Sequence, residues 1–164
     1  MKEDRLIEFI KLLLSVLVCQ LAGFVGSIFT IVSISTWYMT LNKPFFTPPN
    51  WLFAPVWIIL FALMGISLFL VWRKGLNIIG VKTAVIVFFL QLTLNVLWSI
   101  AFFGLRSPLA GLIVIAILWF AIIWTILRFY KISSISALLL IPYILWVSFA
   151  AVLNLSILIL NYKL

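Results

Sequence analysis

"LNKPFFTPPNW", residues 41–51, interrupts a chain that is otherwise almost continuous hydrocarbon. It holds three of the six prolines, Pro44, Pro48 and Pro49, and one charge, Lys43. Trp51 closes it just as the next apolar run begins. Proline lacks the amide hydrogen that a helix interior needs, yet it fits the first helical turn. The stretch therefore reads as a stop and a restart between two long helices. Thr47 is expected to cap the second helix, with Pro48 at its first position.

The flanking composition says what those helices are dissolved in. Of 164 residues, 67% are hydrophobic and 9% are charged. A soluble domain carries about 25% charged residues. A chain this apolar needs a bilayer, and a membrane helix needs about 20 apolar residues. The length fits five spans with short loops: roughly 7–31, 48–72, 80–103, 108–128 and 134–160. The fold class expected is an all-α membrane bundle forming one domain over residues 1–164. Loop one covers roughly 32–47. Ser107 before Pro108 marks the start of span four, and Ser133 or Ser134 that of span five. Pro142 is expected to kink span five.

The charged residues exclude several chemistries. Glu3, Asp4 and Glu8 are the only acids, and there is no histidine. Paired-carboxylate hydrolysis, Ser-His-Asp catalysis, His-ligated metal and haem ligation by His all lack their parts. No metal site and no obligatory cofactor is expected. A formal net charge of +8 is spread between apolar runs, which argues for loop charges and against nucleic acid. With a cytoplasmic N-terminus, Lys2, Arg5, Lys11, Arg73, Lys74, Lys82, Arg128 and Lys131 lie inside. Lys43, Arg106 and Lys163 lie outside. This bias towards the cytoplasm places loop one and the C-terminus outside. Cys19 is single and sits in an apolar run. That run, Leu12 to Val32, is too long for a signal-peptide core, and Val18 does not suit a lipoprotein signal. Residues 1–11 read as a retained cytoplasmic head.

Polar residues inside spans are expensive and therefore informative. Gln91, Asn95 and Ser99 recur at i, i+4 and i+8, on one face of span three, with Trp98 and Phe102 beside them. Tyr143, Trp146, Ala150, Leu153 and Asn154 form a stripe on span five. Asn95 and Asn154 read equally as ligand-orienting amides or as bonds that hold the bundle together. Ala22 and Gly26 read as a close-packing face rather than a ligand face. Trp72 suits an interfacial belt, and Trp119 and Trp124, without polar companions, suit lipid or a partner. Trp51 and Trp146 fit a belt less well. They suit the wall of a cavity for a large, flat, mostly apolar ligand.

"WYMTLNKPFFTPPNWLFAPVW" (37–57), "LMG" (63–65), "QLTLNVLWSIAFFG" (91–104) and "PYILWVSFAAVLNLSI" (142–157), with "GFVGS" (23–27), resemble the tryptophan-rich sensory protein/translocator protein family. The match runs in order from about residue 20 to 157 and is of the bacterial kind. It implies five membrane helices around a pocket beneath loop one, which acts as a lid. It implies binding of tetrapyrroles such as protoporphyrin IX, and of benzodiazepine and isoquinoline ligands. The pocket residues carried over are Trp51, Asn95, Trp98, Trp146, Ala150 and Leu153, with Gln91 and Ser99 on the same stripes. The lid residues are Trp37, Tyr38 and Pro44, and Lys43 stands ready for ligand carboxylates at the outer rim. The resemblance also implies a homodimer. Some bacterial members are reported to degrade porphyrin in light, for which the matching residues are Trp51 and Trp146. Without acid–base groups, that is the one catalytic route open. Transport of porphyrin or sterol ranks below binding, because the interiors of the spans carry no charged residue that could couple an ion. The sterol motif of animal members is absent: Leu155 replaces its tyrosine, and Tyr162-Lys163 lacks the spacer. The location expected is the bacterial cell membrane.

Overall fold

The computed structural model describes residues 2–161. Tyr162 and Lys163, used above for the sterol motif and the outer charge count, lie outside them. Five helical stretches are long and apolar enough to cross a membrane: Arg5–Ile34, Asn50–Trp72, Val81–Gly104, Pro108–Tyr130 and Ser134–Asn161. They belong to α1 (Lys2–Ile34), α3 (Asn50–Trp72), α4 (Val81–Ser99) with a π-helical turn (Ile100–Gly104), α5 (Pro108–Tyr130), and the pair α6 (Ser134–Leu138) and α7 (Ile141–Asn161). A single helical turn in loop one, Trp37–Thr40, is α2. α1 packs on α3 and α4, and α5 packs on α4 and α7.

Residues 2–11, within the expected head, are the first part of α1. Its Leu, Glu, Arg and Lys residues are good helix formers. Glu8 Oε1 also accepts a 2.7 Å hydrogen bond from Arg73 Nη2 just past α3. Both side chains are exposed, so this pair contributes about 1 kcal/mol at most.

Two expected helix starts differ in outcome. Ser107 caps α5 as expected: its Oγ accepts from the Ala110 N–H at 3.2 Å, and Pro108 is the first helical residue. Thr47 does not cap α3, which begins two residues later than expected, with Pro49 in the capping position. A cap at Thr47 would receive the Asn50 N–H, as Ser107 receives that of Ala110, but Thr47 turns backwards instead. Its N–H and Oγ1 both donate to the Pro44 carbonyl, at 3.1 and 2.7 Å. The segment is a closed turn followed by a helix.

Proline also breaks the last span. Pro142 has no N–H for the Leu138 carbonyl, and the helix stops at Leu138 and restarts at Ile141. The interruption lies near the Ser133-capped start of the span, not at mid-depth. Ser67 Oγ on α3 donates to the Ser136 carbonyl at 2.7 Å, so a neighbouring helix satisfies the opened backbone. The π-helical turn is served in the same way: Ser33 Oγ on α1 donates to the Phe103 carbonyl at 2.7 Å. α1 and α3 approach so closely at Gly65 that a Cβ there would stand 2.5 Å from Val16 Cα, which a glycine alone avoids.

Candidate functional site

Trp98 on α4 stands between two empty volumes of very different size. On one side, a cavity of about 590 Å³ lies among α1, α3 and α4. On the other, towards α7 and loop one, the void is only about 20 Å³. The smaller one holds roughly a single water, whereas the larger has the size of a small-molecule site.

Aromatic rings form the wall of the larger cavity. Phe53, Trp57 and Phe61 recur every four residues on α3. The Trp57 ring lies 5.5 Å from Phe61, 6.5 Å from Trp98 and 6.3 Å from Tyr143. α1 contributes a face of small and polar residues: Gln20, Gly23, Gly26, Ser27 and Thr30. Gly26 lies so close to α4 that a Cβ there would stand 3.1 Å from Ser99 Oγ. α4 contributes Asn95, Trp98, Ser99 and Phe103. No charged residue borders this cavity among the described residues.

A buried hydrogen-bond relay fixes the amide at the cavity floor. Asn95 Nδ2 donates to Tyr143 Oη at 3.0 Å, and Tyr143 Oη donates to Gln91 Oε1 at 3.0 Å. All three residues are almost fully buried. With one N–H engaged by Tyr143, Asn95 keeps its oxygen and its second N–H available. Asn154 serves the bundle instead. Its Oδ1 accepts from Trp98 Nε1 at 3.4 Å, and its Nδ2 donates to the Pro108 carbonyl at 2.7 Å.

The residues singled out from sequence divide into four groups. Asn95, Trp98 and Ser99 line the larger cavity. Ala150 and Leu153 line the small void, with Tyr38 and Trp98. Gln91 is enclosed in the relay behind Asn95. Trp51 and Trp146 border neither volume. Trp51 is 71% exposed at the start of α3. Trp146 is half-buried, 6.2 Å from the Phe53 ring and 5.6 Å from Phe149. Trp119 corrects its reading as a residue without polar companions: its Nε1 donates to Ser148 Oγ on α7 at 2.8 Å. Trp124 is exposed, with the Arg128 guanidinium 6.0 Å from its ring.

Loop one is pinned down. Trp37 packs edge-on against Phe102 at 5.5 Å. Tyr38 is buried against Phe102 and Phe103, and burial pushes its phenol up to about 12. Lys43 Nζ donates to the Tyr38 and Leu41 carbonyls, each at 2.9 Å, and lies 5.1 Å from the Tyr38 ring. Its charge thus serves the carbonyl end of α2. Pro44 supplies the carbonyl that Thr47 closes upon. Asn161 on α7 holds Asn42 by both backbone groups: the Asn42 N–H donates to Asn161 Oδ1, and Asn161 Nδ2 donates to the Asn42 carbonyl, each at 2.9 Å. Residues 35–49 border the small void through Tyr38 and do not border the larger cavity.

Sequence reasoning missed the α1 face and Trp57. The signals were present: aromatics at 53, 57 and 61, and small or polar residues at 20, 23, 27 and 30, each recur at helical spacing.

Comparison with known proteins agrees with this architecture. The profile of the TspO/MBR family matches residues 15–160. The chain belongs to the TspO/MBR family. It is 50% identical to tryptophan-rich protein TspO of Archaeoglobus fulgidus over 155 residues, 94% of this chain and 99% of the relative. It is 47% identical to tryptophan-rich protein TspO of Chlorobaculum tepidum, over 94% of this chain and 98% of the relative. It is 34% identical to the human translocator protein, over 82% of this chain and 80% of the relative. With its five apolar helices, this TspO/MBR chain is an integral membrane protein.

Proposed function

We propose that this chain is a membrane receptor for flat, largely apolar tetrapyrroles such as protoporphyrin IX. Drug-like aromatics of the benzodiazepine and isoquinoline type suit the same site. One observation carries this reading: a cavity of about 590 Å³ walled by Trp57, Trp98 and neighbouring phenylalanines, with Asn95 and Ser99 as orienting groups and no charge in the lining. Indole faces stack on an aromatic macrocycle, and a few placed polar groups set its orientation. A macrocycle's carboxylates stay at the outer rim, beside the free N–H groups that begin α3. The chain has no histidine to ligate iron, so the metal-free macrocycle is the ligand favoured. The core of the site is Asn95, Trp98 and Ser99 with Trp57. Gln91 acts behind Asn95, Ala150 and Leu153 lie on the far side of Trp98, and Trp51 and Trp146 stand at the periphery. Loop one, with Trp37, Tyr38, Lys43 and Pro44, is the lid on the far side of Trp98, beside the small void.

The setting proposed is a bacterial cell membrane, with the N-terminus cytoplasmic and loop one outside. The loop charges support that orientation. The chain acts as a single five-helix unit over residues 1–164 and as a homodimer. Titration of the purified protein with protoporphyrin IX tests the reading. Saturable quenching of tryptophan fluorescence is expected, and quenching no greater than in empty micelles overturns it.

A further inference from the structure

The larger cavity has a side that the bundle does not close. Its lining includes Phe24, Ile31 and Ile58, which are 64%, 66% and 59% exposed. All three are apolar and lie within membrane-spanning helices, so the medium they face is hydrocarbon. Towards the N-terminal half of α1 the two helices are sealed together. Gly65 meets the Val16 backbone there, and Gln20 Nε2 donates to the Ile58 carbonyl at 3.0 Å. Beyond that hydrogen bond the cavity continues up to Ile34 on α1 and Asn50 on α3. At 1.5 Å per residue, α1 rises about 21 Å between Gln20 and Ile34. Loop one does not border this cavity, and it is tied to α7 through Asn42 and Asn161.

We infer that the cavity is entered sideways from the bilayer, through a slot between α1 and α3 framed by Ser27, Ile31, Ala54 and Ile58, and that it takes ligands already dissolved in the membrane. The inference rests on the reading that this cavity holds a flat apolar ligand. Such a molecule concentrates in hydrocarbon, and a slot edged by apolar side chains lets it pass without meeting water. Ser27 and Ala54 are small, which leaves width between the helices for a planar ring. The tied loop need not open for exchange.

The test uses the full chain in liposomes with protoporphyrin IX as probe, followed by stopped-flow tryptophan quenching. Ser27→Leu and Ala54→Leu narrow the slot, whereas Asn161→Ala releases the loop. A narrowed slot raises the barrier in both directions. Association and dissociation are expected to slow together, about tenfold. Asn161→Ala is expected to leave both rates within about twofold of the parent. Faster exchange in Asn161→Ala, with unchanged rates in both slot variants, overturns the inference. Absence of saturable binding by the parent protein removes the ligand reading, and brominated phospholipids then decide the slot alone. Quenching by brominated chains that falls in both Trp57→Phe and Ser27→Leu supports access from the bilayer. Equal quenching in all three proteins overturns it.

Discussion

Tyr143 and Asn95 share a 3.0 Å hydrogen bond between the last span and the third, deep in the bundle. The same hydroxyl donates to Gln91, so one oxygen serves two amides. Tyr143→Phe keeps the ring and removes both bonds. An orphaned buried polar group costs about 1–3 kcal/mol in water-soluble proteins, and interhelical bonds in membranes average about 0.6 kcal/mol. A loss of roughly 1–2 kcal/mol is expected, read as a lower unfolding midpoint in detergent. An unchanged midpoint would show the relay to be energetically idle.

Trp57 and Trp98 line the larger cavity, while Trp51 is mostly exposed. Replacing an indole that stacks on a ligand costs about 0.5–1.5 kcal/mol beyond buried area, or roughly three- to tenfold in affinity. Trp57→Phe and Trp98→Phe are expected to weaken protoporphyrin IX binding by that amount. Trp51→Phe is expected to change it less than about twofold. Equilibrium titrations compare the three directly. A larger loss in Trp51→Phe would move the site to the outer rim.

Gly65 sets how near α1 and α3 approach. Alanine is the better helix former by about 1 kcal/mol. At this position its methyl would meet the Val16 backbone, which cannot swing aside as a side chain can. Overpacking of this kind costs about 1–3 kcal/mol, so the steric term is expected to win in Gly65→Ala. Thermal unfolding of the variant against the parent protein measures the balance.

Tyr38 responds to alkali. Burial raises its phenol from 10.0 to about 12. Between those values the unfolded chain has lost the proton and the folded chain retains it. The tyrosine's contribution to stability is therefore complete below pH 10, and it is lost as pH rises through about 12. Loop one is expected to loosen over that window. Tyr38→Phe removes this component of the alkaline profile, which proteolysis of the loop can follow.

Hydrocarbon length alone was enough to count the spans, and Ser107-Pro108 marked its helix start without help from tertiary contacts. Helical spacing also put Asn95 and Ser99 on one face, beside Trp98. The side of Trp98 that holds the empty space was not legible. That depends on how Trp37, Tyr38, Phe102 and Phe103 pack together on the α7 side. Trp119 was misread because its partner, Ser148, lies on another span. Thr47 was misread because a threonine before two prolines has a carbonyl behind it as well as a helix ahead.

The π-helical turn Ile100–Gly104 makes the third span a matter of counting as well as chemistry. A wide turn accommodates one residue more than a regular helix would, and each α-helical residue advances the side chains by about 100°. Deleting a single residue there would let an unbroken α-helix form. The rings on either side would keep nearly their present bearing, because the wide turn is what absorbs the additional residue. Related chains should thus tolerate a one-residue gap in this segment far more readily than a gap in the regular part of the same span.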